Sequence, residues 1–378
     1  MTEKKMRCPG CGAVFQSVDE KLPGYLAPGK KAEDGVLCKR CFQMKHYAVY
    51  RKALISDPEI QKKIQFCAQQ SAAVFLIMDV TRPELSFPDL DWAEKLNKPV
   101  FIIANKVDLL EPWTTRKEIL QRLSDRTGVA REQIILLSAH RRDDMSDLRR
   151  RLEDSFQGHE KILFAGAANV GKSTLISEML KNTLPTVSRL AGTTVGVTEY
   201  AMAHGPVLVD APGLKGDDPF LPMLCPDCLA ALSPKKVFQS SLENLKTGQT
   251  VFFGGLAQVT VADAGERGWV KFGIFAPDTV AVHRTREERI DDLLKEHAGE
   301  LLQPPCKKCA AHLASLPWKE EEFQLHPEED LVIPSVGWVA LYSGACTVKL
   351  RIPEPASGSV RPWLVPSPAR RPQGKKKY

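Results

Sequence analysis

Long apolar runs are missing from this sequence: no stretch of about eighteen consecutive apolar residues occurs in its 378 residues. Charge of one sign is not in large excess either, since 52 Lys and Arg stand against 46 Asp and Glu, a formal net charge of +6. The first six residues are lysine-rich and lead into a cysteine pair rather than an apolar segment, so they lack the pattern of a secretory signal. The sequence has no internal repeat. These absences predict a globular cytoplasmic protein with no membrane partner, large enough for two or three domains.

Short apolar runs alternate with helical patterns over residues 51–218. Within each run the apolar residues are continuous rather than alternating, which is typical of strands buried on both faces of a parallel sheet. The runs lie at 73–78, 100–104, 134–137, 162–165 and 207–209. Helical patterns lie between them at 118–123, 145–156 and 172–180. The alternation predicts a doubly wound α/β domain.

A different pattern begins at about residue 219. The segments 250–253 and 269–272 are typical of antiparallel strands, with Gly254-Gly255 as a turn. Further strands are expected at 336–341 and 347–350, and a charged helix at 284–302 that ends before Pro304-Pro305. We therefore predict a mostly β domain over 219–360.

The ends of the chain differ from both of these domains. Residues 1–50 are basic, loop-like and contain paired cysteines, and we expect a small zinc-binding domain there. Residues 361–378 are predicted to form a flexible basic tail, which either contacts a phosphate backbone or serves only solubility. Its basic residues near the end are Arg370, Arg371, Lys375, Lys376 and Lys377.

A phosphate-binding motif lies at 166–173. The sequence there matches G-x-x-x-x-G-K-[ST] and stands after a predicted strand and before a predicted helix. Its glycines let backbone N–H groups face the phosphates, and the helix N-terminus adds positive potential. We expect Lys172 to reach the β- and γ-phosphates and Ser173 to ligate Mg²⁺.

A second motif, Asp-x-x-Gly, follows the predicted strand at 207–209. Asp210 is expected to hold Mg²⁺, and the amide of Gly213 to meet the γ-phosphate. Between the two motifs, Gly192-Thr193-Thr194 is expected to bring a threonine to the metal, and we prefer Thr194.

Guanine recognition is predicted from Asn105-Lys106-Val107-Asp108, which follows the strand at 100–104. A carboxylate at Asp108 accepts hydrogen bonds from guanine N1–H and the 2-amino group, two donors that adenine lacks. Ser138-Ala139 is expected to close over the base. The alternative reading is an ordinary turn at the end of a strand.

The predicted contacts form one set around GTP. The nucleotide-binding residues are Asn105, Lys106, Asp108, Ser138, Ala139, Asn169, Val170, Gly171, Lys172, Ser173, Thr174, Thr194, Asp210 and Gly213. Within this set, the residues predicted to act in catalysis are Lys172, Asn169, Thr194 and Gly213. Ser173, Thr194 and Asp210 are the predicted Mg²⁺ ligands.

Eight of the ten cysteines form four C-x-x-C pairs, a spacing typical of metal ligands. Cys8, Cys11, Cys38 and Cys41 predict one zinc site, with four buried free cysteines as the alternative. A second shared zinc, or two unrelated turn pairs, is expected at Cys225, Cys228, Cys306 and Cys309.

The order of the motifs is circularly permuted, because base recognition precedes the phosphate loop. This order, the N-terminal cysteine pairs, Gly254-Gly255-Leu256 and His283-Arg284-Thr285 together resemble the YqeH family of circularly permuted GTPases. The resemblance implies GTP hydrolysis to GDP and phosphate in small ribosomal subunit assembly, with a C-terminal domain that contacts RNA. The second set of cysteine pairs is a departure from the family.

Two positions bear on the rate of hydrolysis. Leu214 stands where Ras-like enzymes have a water-positioning glutamine, and the family likewise has a hydrophobic residue there. Asn169 matches an asparagine that helps to hold an activating K⁺ in related GTPases. We therefore expect slow intrinsic GTP turnover that is stimulated by K⁺. We also expect a monomer that binds the small ribosomal subunit or its rRNA. The alternatives are an RNA-binding scaffold with structural GTP and negligible turnover, and a GTP-dependent metabolic or metal-handling enzyme.

Overall fold

The computed structural model describes residues 6, 14–18, 24–27, 36, 38, 39, 57–86, 90, 93, 95–156, 160–167, 169–180, 187, 188, 197–202, 204–211 and 218–366. The chain forms two compact units. The first comprises Met1–Asp79, Ser86–Asn105 and Leu137–Gly216, and the second comprises Val80–Leu85, Lys106–Leu136 and Asp217–Tyr378. The boundaries expected from the sequence between the N-terminal, GTPase and C-terminal domains stay a prediction. Within the described part of the chain, no helix combines the length and apolar character needed to cross a membrane.

The N-terminal half of the described chain alternates strands and helices. In chain order these are α1 (Asp57–Gln69), β1 (Ala73–Asp79), β2 (Val100–Asn105), α2 (Arg116–Thr127), β3 (Ile134–Leu136), α3 (Arg142–Ser155), β4 (Lys161–Ala165), α4 (Lys172–Leu180), β5 (Val187–Ser188), β6 (Thr198–Ala201) and β7 (Val207–Asp210). Short 3₁₀ turns lie at Pro83–Ser86, Val107–Leu109 and Arg131–Gln133. Every apolar run predicted to be a strand in this half is one.

The C-terminal half is mostly β. Its elements are α5 (Pro226–Leu232), β8 (Gln239–Leu245), β9 (Gln249–Phe253), β10 (Ala257–Asp263), β11 (Val270–Ala276), β12 (Val282–Arg286), α6 (Ile290–His297), α7 (Lys307–Ala314), β13 (Trp318–Leu325), β14 (Glu329–Ile333), β15 (Gly337–Ser343), β16 (Cys346–Pro353) and β17 (Ser359–Pro362). A 3₁₀ turn at Glu287–Arg289 precedes α6.

The first unit contains six strands of one sheet, in the order β2-β1-β4-β7-β6-β5. The four strands β2, β1, β4 and β7 are parallel, whereas β6 runs antiparallel to β7 and to β5. All seven residues of β1 are buried, as the continuous apolar run predicted. Phe75 in β1 packs on Phe101 and Phe164 of the flanking strands, with ring centroids 4.9 and 5.6 Å apart. The parallel core brings the carboxyl ends of β2, β1, β4 and β7 to one edge.

The second unit contains two antiparallel five-stranded sheets. Their orders are β12-β9-β10-β16-β13 and β17-β14-β15-β11-β8. Buried residues from both sheets, including Phe253 and Val259 from the first and Phe272 and Leu341 from the second, belong to one hydrophobic core. The prediction of an α/β domain followed by a mostly β domain is confirmed.

Two sequence-based expectations in the second unit are wrong. Residues 284–302 do not form one charged helix: 284–286 belong to β12, which pairs with β9, and α6 ends at His297. The basic tail does not begin at residue 361 either, because Arg361 lies in β17 and is 3% exposed. Residues 367–378 lie outside the described residues.

Arg361 is the centre of a buried ion network in the second unit. Its Nε donates to Oδ2 of Asp330 (3.0 Å), and its Nη1 donates to Oε1 of Glu84 (2.6 Å). Asp330 also accepts the amide of Leu364 (2.8 Å). Burial raises the pKa of the Asp330 carboxyl to about 6, against the opposing charge of Arg361. The guanidinium also lies 5.1 Å from the ring centroid of Trp338. The network therefore holds together the 3₁₀ turn Pro83–Ser86, strand β14 and the segment around β17 and Leu364.

We predict that Arg361→Met lowers the free energy of unfolding by about 3–5 kcal/mol, because it leaves the Asp330 carboxylate buried without its partner. Urea denaturation measures the change. Arg351→Met is the matched control: Arg351 pairs with Asp291 on the surface, where an ion pair contributes about 0–1 kcal/mol. Equal losses in the two variants would contradict the special role of the buried network. Adding Asp330→Asn to Arg361→Met is expected to recover part of the loss, since it removes the unpaired charge.

Candidate functional site

The phosphate-binding motif connects the end of β4 to the start of α4, as its sequence context predicts. Gly166 has φ +149°, and a Cβ there would lie 2.4 Å from the carbonyl oxygen of Ile77 in the neighbouring β1. Gly171 has φ +93°, and a Cβ there would lie 2.4 Å from Nδ2 of Asn105. Both motif glycines are therefore required by the close approach of another strand and by their backbone conformation.

Asn105, at the end of β2, connects three predicted nucleotide-binding segments. Its Nδ2 donates to the carbonyl of Val170 in the phosphate loop (3.0 Å), and its Oδ1 accepts the amide of Ala139 (3.1 Å). The side chain is 2% exposed, so both of these hydrogen bonds lie in the protein interior. The structure thus brings together Asn105 of the base motif, the phosphate loop and the Ser138-Ala139 loop.

The Ser138-Ala139 loop has a further support that the sequence analysis missed. The amide of Ser138 donates to Oδ2 of Asp144 in the first turn of α3 (2.8 Å). The Ser138 hydroxyl accepts the amide of His140 (3.3 Å). The sequence contained a signal for this contact, namely an acidic residue in the first turn of the following helix. A carboxylate at that position can accept hydrogen bonds from backbone amides that are left free near the helix N-terminus.

Lys172 and Asp210 lie side by side at the carboxyl edge of the sheet. Nζ of Lys172 donates to the carboxylate of Asp210 and to the carbonyl of Ala211. The contact follows from the sheet register, because Asp210 in β7 is paired with Phe164 in β4, which leads into the phosphate loop. Ser173 and Thr174 are exposed in the first turn of α4. A cation and a metal-binding carboxylate at the same edge suit a phosphate–metal ligand.

Asp108 lies in the 3₁₀ turn Val107–Leu109 of the second unit. Lys106 precedes the turn in the left-handed conformation, with φ 68°. The atom Oδ1 of Asp108 is buried and has no hydrogen-bond partner. A buried carboxylate oxygen without a donor is costly for the protein alone, and a ligand with N–H groups would satisfy it.

The remaining predicted nucleotide contacts are only partly described. Asn169 is exposed and left-handed, with φ 67°. Thr194, Gly213 and Leu214 lie outside the described residues, so their predicted roles stay predictions.

Four cysteines of the second unit form a compact cluster. The sulfur atoms of Cys225, Cys228, Cys306 and Cys309 all lie within 4.8 Å of one another, and all four are free thiols. Sγ of Cys225 and Sγ of Cys306 are 3.8 Å apart. Tetrahedral zinc–sulfur bonds of about 2.3 Å would place neighbouring sulfurs about 3.8 Å apart, so the cluster fits a zinc ion. The prediction that these two distant pairs meet is confirmed.

The two C-x-x-C pairs are arranged reciprocally. Cys225 is the N-cap of α5 and Cys306 is the N-cap of α7. The amide of Cys225 donates to Sγ of Cys309, and the amide of Cys306 donates to Sγ of Cys228, both at 3.1 Å. A hydrogen bond from the Cys309 amide lowers the pKa of Cys306 to about 7, whereas burial raises the pKa values of Cys228 and Cys309. Two helix N-termini thus direct positive potential toward the sulfur atoms.

The Gly254-Gly255 turn holds the second cysteine pair in place. A Cβ on Gly254 would lie 2.0 Å from the carbonyl oxygen of Pro304, and the amide of Gly255 donates to that oxygen (2.9 Å). Cys306 directly follows Pro304-Pro305 in the chain. The turn therefore fixes the backbone from which α7 and its two cysteines begin.

The N-terminal cysteine set falls almost entirely outside the described residues. Cys38 is described and fully buried, whereas Cys8, Cys11 and Cys41 are not described. The predicted zinc site formed by these four residues stays a prediction.

Comparison with protein families supports the division seen in the sequence. Residues 48–218 match the RsgA GTPase family, and residues 269–364 match the YqeH-like, C-terminal family. The two matches cover the predicted GTPase domain and much of the β sandwich.

Related proteins match over different lengths of the chain. The uncharacterized protein YqeH of Bacillus subtilis is 28% identical over 379 residues, which cover 96% of this chain and all of that protein. A putative nitric oxide synthase of Oryza sativa subsp. japonica is 25% identical over 94% of this chain and 77% of its own. The small ribosomal subunit biogenesis GTPase RsgA of Actinobacillus pleuropneumoniae is 30% identical over 184 residues, 44% of this chain and half of that protein. The expected resemblance is confirmed: the chain belongs to the YqeH-like proteins, with a circularly permuted GTPase domain of the RsgA type and a YqeH-like C-terminal domain.

Proposed function

We propose that this protein binds GTP with Mg²⁺, hydrolyses it to GDP and phosphate, and acts in assembly of the small ribosomal subunit. The observation that carries the nucleotide assignment is the buried side chain of Asn105, which is bonded to the phosphate loop and to the Ser138-Ala139 loop. An ordinary strand-end turn, the alternative reading of this motif, gives no reason for both connections.

Guanine specificity rests on Asp108. Its buried Oδ1 lacks a hydrogen-bond donor within the described protein, and guanine offers N1–H and a 2-amino group. Adenine has an acceptor at N1 and no 2-amino group, so it would leave the carboxylate unpaired. Ser138 and Ala139 would cover the base from the other loop.

Hydrolysis transfers the γ-phosphoryl group to water, breaking the bond to the β-phosphate oxygen and forming phosphate. Lys172 would stabilise charge on the β- and γ-phosphates, and Ser173, Thr194 and Asp210 would supply oxygen ligands for Mg²⁺. Magnesium, when bound, neutralises charge on the phosphate oxygens. The Gly213 amide would meet the γ-phosphate.

Leu214 cannot orient the attacking water through a hydrogen bond. We therefore propose slow turnover, with K⁺ held near Asn169 or a partner supplying charge stabilisation.

The ribosomal role rests on relatives. A matched relative is named a small ribosomal subunit biogenesis GTPase, and it aligns with the GTPase part of this chain. The YqeH-like C-terminal domain would contact rRNA or a ribosomal protein, together with the basic residues of the tail.

Zinc at the C-terminal cysteine cluster is part of the same proposal. Four thiolates at the spacing of a tetrahedral site, each pair at the start of a helix, suit a structural zinc with all four positions taken by protein. Cys8, Cys11, Cys38 and Cys41 would hold a second zinc.

We predict that Asp108→Asn lowers the affinity for GTP about a hundredfold or more, because it replaces a charged acceptor of two hydrogen bonds. Xanthine has a carbonyl in place of the 2-amino group, so the new amide can donate to it. The variant should therefore bind xanthosine triphosphate more tightly than the wild type does. Titration calorimetry with both nucleotides measures the exchange. A variant with unchanged GTP affinity would contradict the assignment of Asp108.

We predict that GTP hydrolysis is faster in KCl than in NaCl and is stimulated by small ribosomal subunits. Lys172→Ala should lower kcat/KM by about 10²–10³-fold through loss of charge stabilisation. The control is Lys236→Ala, because Lys236 is exposed in the loop that follows α5. This variant should leave the rate of hydrolysis unchanged. Phosphate release is the measurement. Tight GTP binding without turnover in any condition would favour the RNA-binding scaffold instead.

We predict two zinc ions per purified chain. Cys225→Ser and Cys306→Ser should each lower the zinc content by one ion and lower the melting temperature, because metal binding contributes to folding. Cys346→Ser is the matched control, since Cys346 is a buried cysteine outside the cluster. Elemental analysis by mass spectrometry gives the stoichiometry. Unchanged zinc in the cluster variants would contradict this site without affecting the nucleotide assignment.

A further inference from the structure

The turn that carries Asp108 is closed by its own backbone. The amide of Leu109 donates to the carbonyl of Lys106 (3.1 Å), and the amides of Leu110 and Glu111 donate to the carbonyl of Val107 (both 3.0 Å). Val107 and Leu109 are buried. These hydrogen bonds make the turn rigid, so contacts at its C-terminal end, near Leu109, also help to fix the position of Asp108.

The C-terminal end of the turn is hydrogen-bonded to Phe238, which lies in the strand-forming C-terminal part of the second unit. The amide of Phe238 donates to the carbonyl of Leu109 (3.3 Å), and Nε1 of Trp113 donates to the carbonyl of Phe238 (3.1 Å). The backbone of Phe238 thus donates one hydrogen bond to Leu109 and accepts another from Trp113, the two residues that flank 110–112. We call Trp113 and Phe238 the clamp.

The clamp stands on a stack of aromatic rings. Trp113 meets Phe275 of β11 edge-on, with centroids 6.3 Å apart, and Phe238 packs on Trp338 of β15 at 5.2 Å. Phe275 and Trp338 are themselves stacked at 4.9 Å and 11°. Buried aromatic pairs of this kind contribute beyond the area that they bury and have few alternative positions. The rigid sheet therefore supports the clamp directly.

The helix that follows the turn is tied to the same sheet. Nη1 of Arg122 in α2 donates to the carbonyl of Leu364, and Arg126 lies 3.9 Å from Glu84, the partner of Arg361. Both ends of the segment 109–126 are thus bonded to the sandwich or to its ion network. The clamp holds the part of this segment that directly follows the Asp108 turn.

We propose that Trp113 and Phe238 are positioning residues for guanine recognition, through which the C-terminal sandwich holds the Asp108 carboxylate where the base binds. The proposal rests on the proposed function, since it assigns guanine to Asp108. A ligand that shifts the sandwich would change the affinity for guanine nucleotides, and the nucleotide would change the affinity for that ligand by the same factor.

The test measures affinity with and without the base. In full-length protein, Trp113→Phe removes the indole N–H donor but keeps an aromatic ring against Phe275. It should weaken GDP–Mg²⁺ binding about fivefold to tenfold, the factor expected for one hydrogen bond. Binding of inorganic tripolyphosphate with Mg²⁺, which has no base, should stay unchanged.

The matched control is Trp318→Phe. The indole of Trp318 also donates to a backbone carbonyl, that of Leu313 (3.0 Å), away from the Asp108 turn. The Trp318→Phe variant should lower the free energy of unfolding about as much as Trp113→Phe does. It should change neither the affinity for GDP nor the affinity for tripolyphosphate. Benzothienylalanine at position 113 keeps the bicyclic shape without the N–H, and should reproduce the loss even if the phenylalanine variant folds poorly.

A thermodynamic cycle separates positioning from general destabilisation. In an Asp108→Ala background, Trp113→Phe should cause no further loss of GDP affinity, because the carboxylate that it positions is gone. Equal loss of GDP and tripolyphosphate binding, or an unchanged GDP affinity, would overturn the clamp. Wild-type protein that binds GDP no better than ADP would overturn the guanine assignment and the clamp together.

Discussion

The carboxamide of Asn105 is the contact on which the candidate nucleotide site depends. Its donor and its acceptor are both used, one on the phosphate loop and one on the Ser138-Ala139 loop, and its Nδ2 leaves no space for a Cβ at position 171. Since an unpaired amide in the interior costs about 1–3 kcal/mol, the three loops keep their relative positions together. This arrangement survives the permuted order of the motifs because β2, β1 and β4 are parallel neighbours whose carboxyl ends share an edge.

The base motif is divided between two kinds of support. Asn105 is bonded within the first unit, whereas Lys106 and the turn that carries Asp108 belong to the second unit, together with the C-terminal sandwich. The aromatic stack on Trp338 and the ion network of Arg361 meet at the same ring, because the Arg361 guanidinium lies over that indole. The C-terminal domain therefore packs with part of the predicted base-binding segment.

The cysteine cluster belongs to the same sandwich. Cys228 and Cys309 are buried in its hydrophobic core, beside Leu232 of α5 and Leu313 of α7. A metal bound at this cluster would be coupled to core packing, because the helices that carry the thiols also bury apolar side chains. The close approach of Gly254 to Pro304 connects the glycine turn to the segment from which Cys306 and α7 begin.

The sequence by itself determined β1, β2, β3, β4 and β7 and the position of the phosphate loop between a strand and a helix, because continuous apolar runs and glycine-rich motifs are local properties. It did not predict β5 and β6. C-x-x-C spacing identified Cys225, Cys228, Cys306 and Cys309 as candidate metal ligands, but the tertiary structure decided that the two pairs meet. Only the tertiary structure decided that residues 284–286 extend a sheet, because their hydrogen-bond partners lie in β9. It alone decided that Arg361 is interior, since its partners Asp330 and Glu84 lie 31 and 277 residues away. Contacts over such separations depend on the assembled sheets, and no local pattern records them.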